Sequence, residues 1–175
     1  MKEKFKKELF SWLQTFIFAI VIGLVIHNTI TASALVISGS MENTIMTNSR
    51  VIGLRFVYLI SDPERFDIIL FHPPDSKSEM PYVKRIVGLP NEKVDIVDGK
   101  VYINDSVIPL DDSFSKGVPH GNFGPFNVPD NSYFVMGDNR NSSTDSRHWE
   151  NSFISRSSII AKLYFEIFPS PHMFR

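Results

Sequence analysis

The chain of 175 residues contains no cysteine. That absence excludes a disulfide framework, a thiolate metal site and a cysteine nucleophile together, and it is compatible with an extracytoplasmic surface. An excess of either charge is also lacking: 18 Lys and Arg stand against 19 Asp and Glu, so nothing in the balance points to nucleic acid as a partner. The five histidines do not pair at metal-ligand spacing. His148-Trp149-Glu150 has no second histidine to complete a zinc site, so neither a metal nor another cofactor is implied. Internal repeats and low-complexity tracts are missing as well.

One long apolar run is present, Leu9–Ile26, broken only by Ser11, Gln14 and Thr15. As a helix it would extend roughly 27 Å, enough to cross the hydrocarbon layer of a bilayer. Lys2, Lys4, Lys6 and Lys7 precede it, and no Lys or Arg follows until Arg50. The positive-inside rule then expects residues 1–8 in the cytoplasm, an anchor over 9–30, and residues 31–175 outside. A cleaved signal peptide is the rival reading, because Ala32-Ser33-Ala34 has the A-x-A form. The apolar run is longer than such peptides use, and His27-Asn28-Thr29 widens the gap to the site. Both readings put the bulk of the chain outside the cytoplasm.

Beyond the anchor no helical period is sustained, and the pattern is one of short strands. Ala34–Ser38, Val51–Tyr58, Phe66–His72, Tyr82–Val87, Tyr133–Met136 and Ile159–Phe168 read as strands, with turns at Ser61–Pro63 and His72–Asp75. Lys93–Val97 and Lys100–Asn104 flank Asp98-Gly99, a hairpin signal. Residues 110–131, rich in Gly, Pro, Asp and Ser, read as a long loop. The expected architecture is an all-β domain with residues 89–131 inserted into a larger core, plus one N-terminal transmembrane helix.

Two short segments carry chemistry. Ser40, in Ser38-Gly39-Ser40-Met41, follows a strand at a turn where backbone N–H groups can face a cleft. A serine hydroxyl needs a base to become a nucleophile, and none of the histidines is positioned to serve. Lys84, inside Tyr82-Val83-Lys84-Arg85-Ile86-Val87, is the alternative base. Burial lowers a lysine pKa from about 10.4, by up to about 3–5 at full burial, and frees a neutral amine. On composition alone, a lysine snorkelling at a strand edge accounts for the same residue. The polar run 137–147 (Gly-Asp-Asn-Arg-Asn-Ser-Ser-Thr-Asp-Ser-Arg) reads either as a solvated surface loop or as a buried network, and its matched acids and arginines are more usual in the second.

In order along the chain stand the anchor, S-G-S-M-E-N-T-I (38–45), R-F-D-I-I-L-F (65–71), Y-V-K-R-I-V-G-L-P (82–90) and Y-F-V-M-G-D-N-R-N-S-S-T-D-S-R (133–147). With these blocks the chain resembles the bacterial type I signal peptidases, in the short single-anchor form of Gram-positive bacteria. The resemblance implies antiparallel sheets in the β core shared with self-cleaving repressors, carrying a small β insertion. It implies Ser40 as nucleophile and Lys84 as general base, with Ser38 and the Ser40 amide as the oxyanion hole. Ser143 would orient the lysine. Asp138, Asp145 and Arg147 would brace the loop, with Arg85 as partner to one of the carboxylates. Val36, Met41, Ile45, Tyr82 and Val83 would wall small pockets for an extended A-x-A substrate. The implied partners are signal peptides of secreted preproteins, the lipid bilayer and the protein-export translocon.

Three positions depart from the family pattern: Asn43 where Pro is usual, Phe66 where Gly is usual, and Asn91-Glu92 where Gly-Asp is usual. Three rival functions follow from the same features. A self-cleaving repressor would carry a DNA-binding domain where this chain has an anchor. A generic anchored partner-binding domain does not account for the matched polar run. A non-catalytic, membrane-anchored assembly factor, as in pilus biogenesis, is the third.

Overall fold

The computed structural model describes residues 2–74, 80–118 and 121–174. Asp75, at the end of one expected turn, and His120 lie outside the described residues. The apolar run forms α1 (Lys2–Thr29), which takes in the basic segment as well. Within Glu3–Ile26 its most apolar 18-residue window has a mean hydropathy of 2.3, and none of that window is buried in the protein. Among the described residues it is the one helix long and apolar enough to cross a membrane. Its two threonine hydroxyls turn inward on the helix itself: Thr15 Oγ1 donates to Ser11 O at 3.0 Å and Thr29 Oγ1 to Val25 O at 2.6 Å, which suits an apolar surround.

The rest is sheet. β1 (Thr31–Leu35), β2 (Arg50–Leu54), β3 (Ile68–Phe71), β4 (Tyr82–Gly88), β8 (Ser132–Met136), β9 (Ile154–Ser155), β10 (Ile159–Phe168) and β11 (His172–Met173) form one antiparallel sheet. Its order is β1-β2-β10-β3-β4-β8-β9, with β11 on β10. β5 (Lys93–Val97), β6 (Lys100–Ile103) and β7 (Phe123–Asn127) form a second sheet in the order β6-β5-β7. The β5–β6 turn places Asp98 and Gly99 at φ of 49° and 76°, the left-handed pair that an Asp-Gly hairpin favours.

Several boundaries differ from the expectation. The first strand is Thr31–Leu35 rather than Ala34–Ser38, so Ala32-Ser33-Ala34 lies within β1, opposite Gly53, Ile52 and Val51. The expected strand over Val51–Tyr58 ends at Leu54, and Val57–Ile60 is the short helix α2. Arg55 continues the β1–β2 pairing by one step, with its N–H on Ile30 O next to the Thr31–Leu54 pair and its Nε on Thr31 O, before the chain turns into α2. β7 occupies part of the expected long loop. Gly124 and Pro125 read as loop formers, yet Pro is tolerated on an edge strand.

The sheets enclose three apolar clusters. Ala32, Val36, Met41, Ile45, Val51, Leu70 and Leu163 form the first, beside α1's end of the sheet. Ile86 enters a second cluster with Ile69, Phe71, Tyr133 and Val135. Val87 enters a third with Val94, Ile96, Val101, Phe134 and Met136, so the three-stranded sheet shares its core with the larger one. β4 is thereby covered on both faces. That is why Lys84 and Arg85, on opposite faces by alternation, are both buried, at 4% and 2% exposure.

Candidate active site

Ser40 sits in a single 3₁₀ turn, Gly39–Met41, entered from an extended Ser38. Its side chain is buried, and its Oγ lies 3.3 Å from Ser38 Oγ. Lys84 reaches the same place from β4, opposite Ile69 of β3 and just before the pairing with β8 begins at Arg85. Its Nζ donates to Ser143 Oγ at 3.0 Å. Among the described residues no hydrogen bond joins Lys84 to Ser40; the two share the wall of one cleft. Burial lowers the Lys84 pKa to about 8. The Asp145 and Asp138 carboxylates oppose that shift, and the Arg147 guanidinium assists it.

Ser143 has one hydroxyl proton, and Asp145 Oδ2 takes it at 2.6 Å. The oxygen lone pairs are left for Lys84, so the serine fixes the direction of the amine. Asp145 is itself held from several sides. Gly137 N–H reaches Oδ2 at 2.9 Å, Arg147 Nε reaches Oδ1 at 2.8 Å, and Arg147 Nη2 reaches Oδ2 at 2.9 Å. Burial pushes its pKa up, but the Arg147 pair, the Ser143 hydroxyl and the Gly137 amide outweigh burial and hold it below the usual carboxylate range.

Arg85 pairs with Asp138 through two bonds, Nε to Oδ1 at 2.8 Å and Nη2 to Oδ2 at 2.6 Å. The geometry is the bidentate fork that guanidinium favours. Asp138 also accepts the Thr44 hydroxyl, which ties the segment after Ser40 to the 137–147 loop. Phe66, one of the three departures from the family pattern, adopts a φ of 71°. Its carbonyl accepts Arg85 Nη1 at 2.8 Å, and its ring meets Phe114 edge-on at 5.3 Å, contacts that offset a left-handed backbone in a bulky residue. Asn43 and Asn91 also have positive φ, 90° and 65°, values proline cannot adopt and asparagine tolerates.

A cleft of about 750 Å³ opens beside Ser40 and Lys84. Two chain segments, 33–38 and 80–84, line it together with Ser40, Met41, Ser142 and Thr144. Val36 N–H and C=O both bond toward the β2 side, to Ser49 and Asn48. The backbone groups of Leu35 and Ile37 therefore face the opposite edge, where β1 has no neighbouring strand. Of the expected wall residues, Val36, Met41, Tyr82 and Val83 line the cleft. Ile45 does not; it is fully buried in the first core cluster with Met41.

Two residues that the sequence reading did not single out complete the arrangement. A Cβ on Gly137 would stand 2.3 Å from Ser143 Oγ and 2.4 Å from Ser40 O, so only glycine fits between the two serines. Asn139 donates its backbone N–H to Ser40 O at 3.0 Å and its side-chain Nδ2 to Gly39 O at 3.0 Å. Both residues lie in the matched polar run, where density hid their separate tasks. Among the described residues no group of three or more His, Cys, Asp or Glu converges as a metal site.

The profile of the family described as signal peptidase, peptidase S26, matches residues 9–168. A probable signal peptidase I-2 of Synechocystis is 33% identical over 170 residues, which are 93% of this chain and 76% of the relative. Signal peptidase I S of Bacillus subtilis is 36% identical over 154 residues, 82% of this chain and 80% of the relative. A crystal structure of a signal peptidase I from Enterococcus faecalis is 32% identical and covers 59% of this chain and 97% of its own, with a TM-score of 0.47. With its match running through nearly all of the chain, from the apolar helix to the end of β10, this protein belongs to the signal peptidase family, peptidase S26.

Proposed function

We propose that the chain is a membrane-anchored serine endopeptidase that removes signal peptides from exported preproteins with a Ser40–Lys84 dyad. The single observation that carries this reading is the state of Lys84: buried, with a pKa of about 8, and held by Ser143 at the wall of the cleft that also holds Ser40. Near neutral pH a usable fraction of such an amine is uncharged. With one N–H committed to Ser143, its lone pair is free to face the serine.

The chemistry is acyl transfer. Lys84 Nζ takes the Ser40 hydroxyl proton as Oγ attacks the carbonyl carbon before the scissile bond. The carbonyl oxygen becomes an oxyanion, received by Ser38 Oγ–H and the Ser40 N–H; such donors are typically worth about 10²–10³ in rate each. The lysine ammonium then gives its proton to the departing amine, leaving an acyl ester on Ser40. Water, deprotonated by Lys84, releases the acid and returns Oγ–H. Arg85–Asp138 and Arg147–Asp145 hold the loop that aims Ser143, and no step calls for a metal or cofactor.

The substrate would lie extended between segments 33–38 and 80–84, adding a strand to the free edge of β1. Val36, Met41, Tyr82 and Val83 leave room for Ala-sized residues at positions −1 and −3, the A-x-A pattern. The charge distribution around α1 supports a cytoplasmic N-terminus and a domain outside. There the substrate's own apolar segment shares the membrane plane, which raises the effective concentration of its cleavage site. The translocon that delivers the preprotein is the natural neighbour.

The test is cleavage of an A-x-A preprotein by the full chain in detergent, against Ser40→Ala and Lys84→Ala. Wild type is expected to cut after the second Ala, with kcat/KM rising with pH along a limb near 8, and both folded variants are expected to be inactive. Wild type inert toward several preproteins would overturn the reading and leave a non-catalytic assembly factor.

A further inference from the structure

We propose that Asn139 is a positioning residue for the oxyanion hole, acting through the Gly39–Ser40 peptide. The proposal rests on the roles given above to Ser40 and its amide. A trans peptide is planar, with its C=O and N–H pointing in opposite directions. The Ser40 N–H, offered as an oxyanion donor, therefore shares one rigid plane with the Gly39 carbonyl. Whatever fixes that carbonyl fixes the direction of the N–H.

Two donors fix it. Asn139 Nδ2 bonds Gly39 O at 3.0 Å, and the Glu42 N–H bonds the same oxygen at 3.1 Å as the 3₁₀ turn closes. The Glu42 bond is local to the turn and moves with it. The Asn139 bond comes from a separate segment of the chain and references the turn to the loop that holds Ser143. Asn139 also reaches the next peptide, with its backbone N–H on Ser40 O at 3.0 Å. One buried residue thus grips the carbonyls on both sides of Ser40.

Asn139 is in turn held by its neighbours. Lys116 N–H bonds Asp138 O at 2.6 Å and Arg140 N–H bonds Lys116 O at 2.9 Å, so a strand-like bridge braces its backbone. A donor on the Gly39 carbonyl also polarises the peptide and makes the Ser40 N–H a stronger donor, by about 10–30%. Direction and strength of the oxyanion donor both run through this side chain.

The test uses the full chain in detergent with Asn139→Leu and Asn139→Asp, both branched at Cγ with the same number of side-chain heavy atoms and both lacking the donor. The expected loss is about 10- to 100-fold in kcat, smaller than removal of a donor outright, with KM within about twofold. In Asn139→Leu, which adds no charge, the pH limb set by Lys84 stays where it is in wild type. Two probes separate positioning from scaffolding. A peptide aldehyde bearing the A-x-A sequence adds Ser40 Oγ to its carbon, passes the serine proton to Lys84, and places its oxygen in the oxyanion hole. The same peptide with a reduced scissile bond only fills the cleft. Aldehyde affinity should fall in step with kcat while reduced-peptide affinity holds. A folded variant with wild-type kcat, or equal losses for both probes, overturns the proposal. An active Ser40→Ala protein would instead overturn the reading of the site on which it rests.

Discussion

Asn104-Asp105-Ser106 leaves β6 and Gly137-Asp138-Asn139 leaves β8, and the two loops share a vocabulary of Asp, Asn and Ser. The first stays in solvent, with Val107 and Ile108 exposed, and its bonds are local: Lys93 to Asp105, Ser106 Oγ to Ile108 O. The second is buried at Gly137–Arg140, Ser143 and Asp145–Arg147, and its bonds run to Gly39, Ser40, Thr44, Lys84 and Arg85. What separates them is arginine. Arg85 and Arg147 each meet one buried carboxylate with a fork of donors, so the second loop can leave water with its charges paired. Buried pairs of this kind are often near neutral for stability. What they fix is position: Ser143 is held against Lys84, and Asn139 against the Gly39 and Ser40 carbonyls.

The largest expected effect comes from breaking one of those pairs. Arg147→Ala leaves Asp145 charged and unpaired in the interior and should cost about 3–5 kcal/mol, read from chemical denaturation, together with loss of cleavage. Replacing both partners, Asp145→Leu with Arg147→Met, should recover most of that stability and none of the activity. If the double variant cleaves normally, the buried network has no positional task and the contrast between the loops reduces to solubility.

Lys84→Met is next. A lysine whose pKa is about 8 when folded and about 10.4 when unfolded binds fewer protons in the native state between those values. Stability on this group's account therefore rises as pH climbs from about 8 to about 10.4, and below 8 the native state carries the whole cost, about 3 kcal/mol. Lys84→Met should be inactive, more stable than wild type at pH 7 by up to that amount, and level with it above pH 10.4. Equal stability at pH 7 would show that burial does not tax the ammonium.

Much of this was legible in the chain. Alternation in β4, the Asp98-Gly99 hairpin and the acid–arginine matching in 137–147 follow from local pattern and are present in the structure. The choice of partners was not legible. That Arg85 takes Asp138 and Arg147 takes Asp145 depends on which loop faces β4, a tertiary fact. Phe123–Asn127 was missed because Gly-Pro reads as a loop wherever an edge strand is not yet known to exist. Gly137 and Asn139 act through contacts with residues about a hundred positions earlier, which no spacing reveals.

Gly137→Ala sharpens the comparison from inside the buried loop. The added methyl meets Ser143 Oγ and Ser40 O, both tied to other partners, so neither can simply swing away. Overpacking of this kind costs about 1–3 kcal/mol. Because the strain falls between the two serines, kcat should fall more than stability alone explains. Thermal melts beside single-turnover cleavage separate the two.

Lys93→Ala is the smallest change and the control for all the others. Its ammonium lies 2.6 Å from Asp105, a contact as short as those in the buried loop, and 3.5 Å from Asp95. Here, however, water screens both partners, and holding a long side chain in one rotamer offsets the Coulomb gain. The expected outcome is an unchanged Tm and unchanged cleavage. A fall in Tm as large as that of Gly137→Ala would mean that short contact distance, and not exclusion of water, decides what a charged pair contributes in this protein. The division between its two polar loops would then have to be drawn elsewhere.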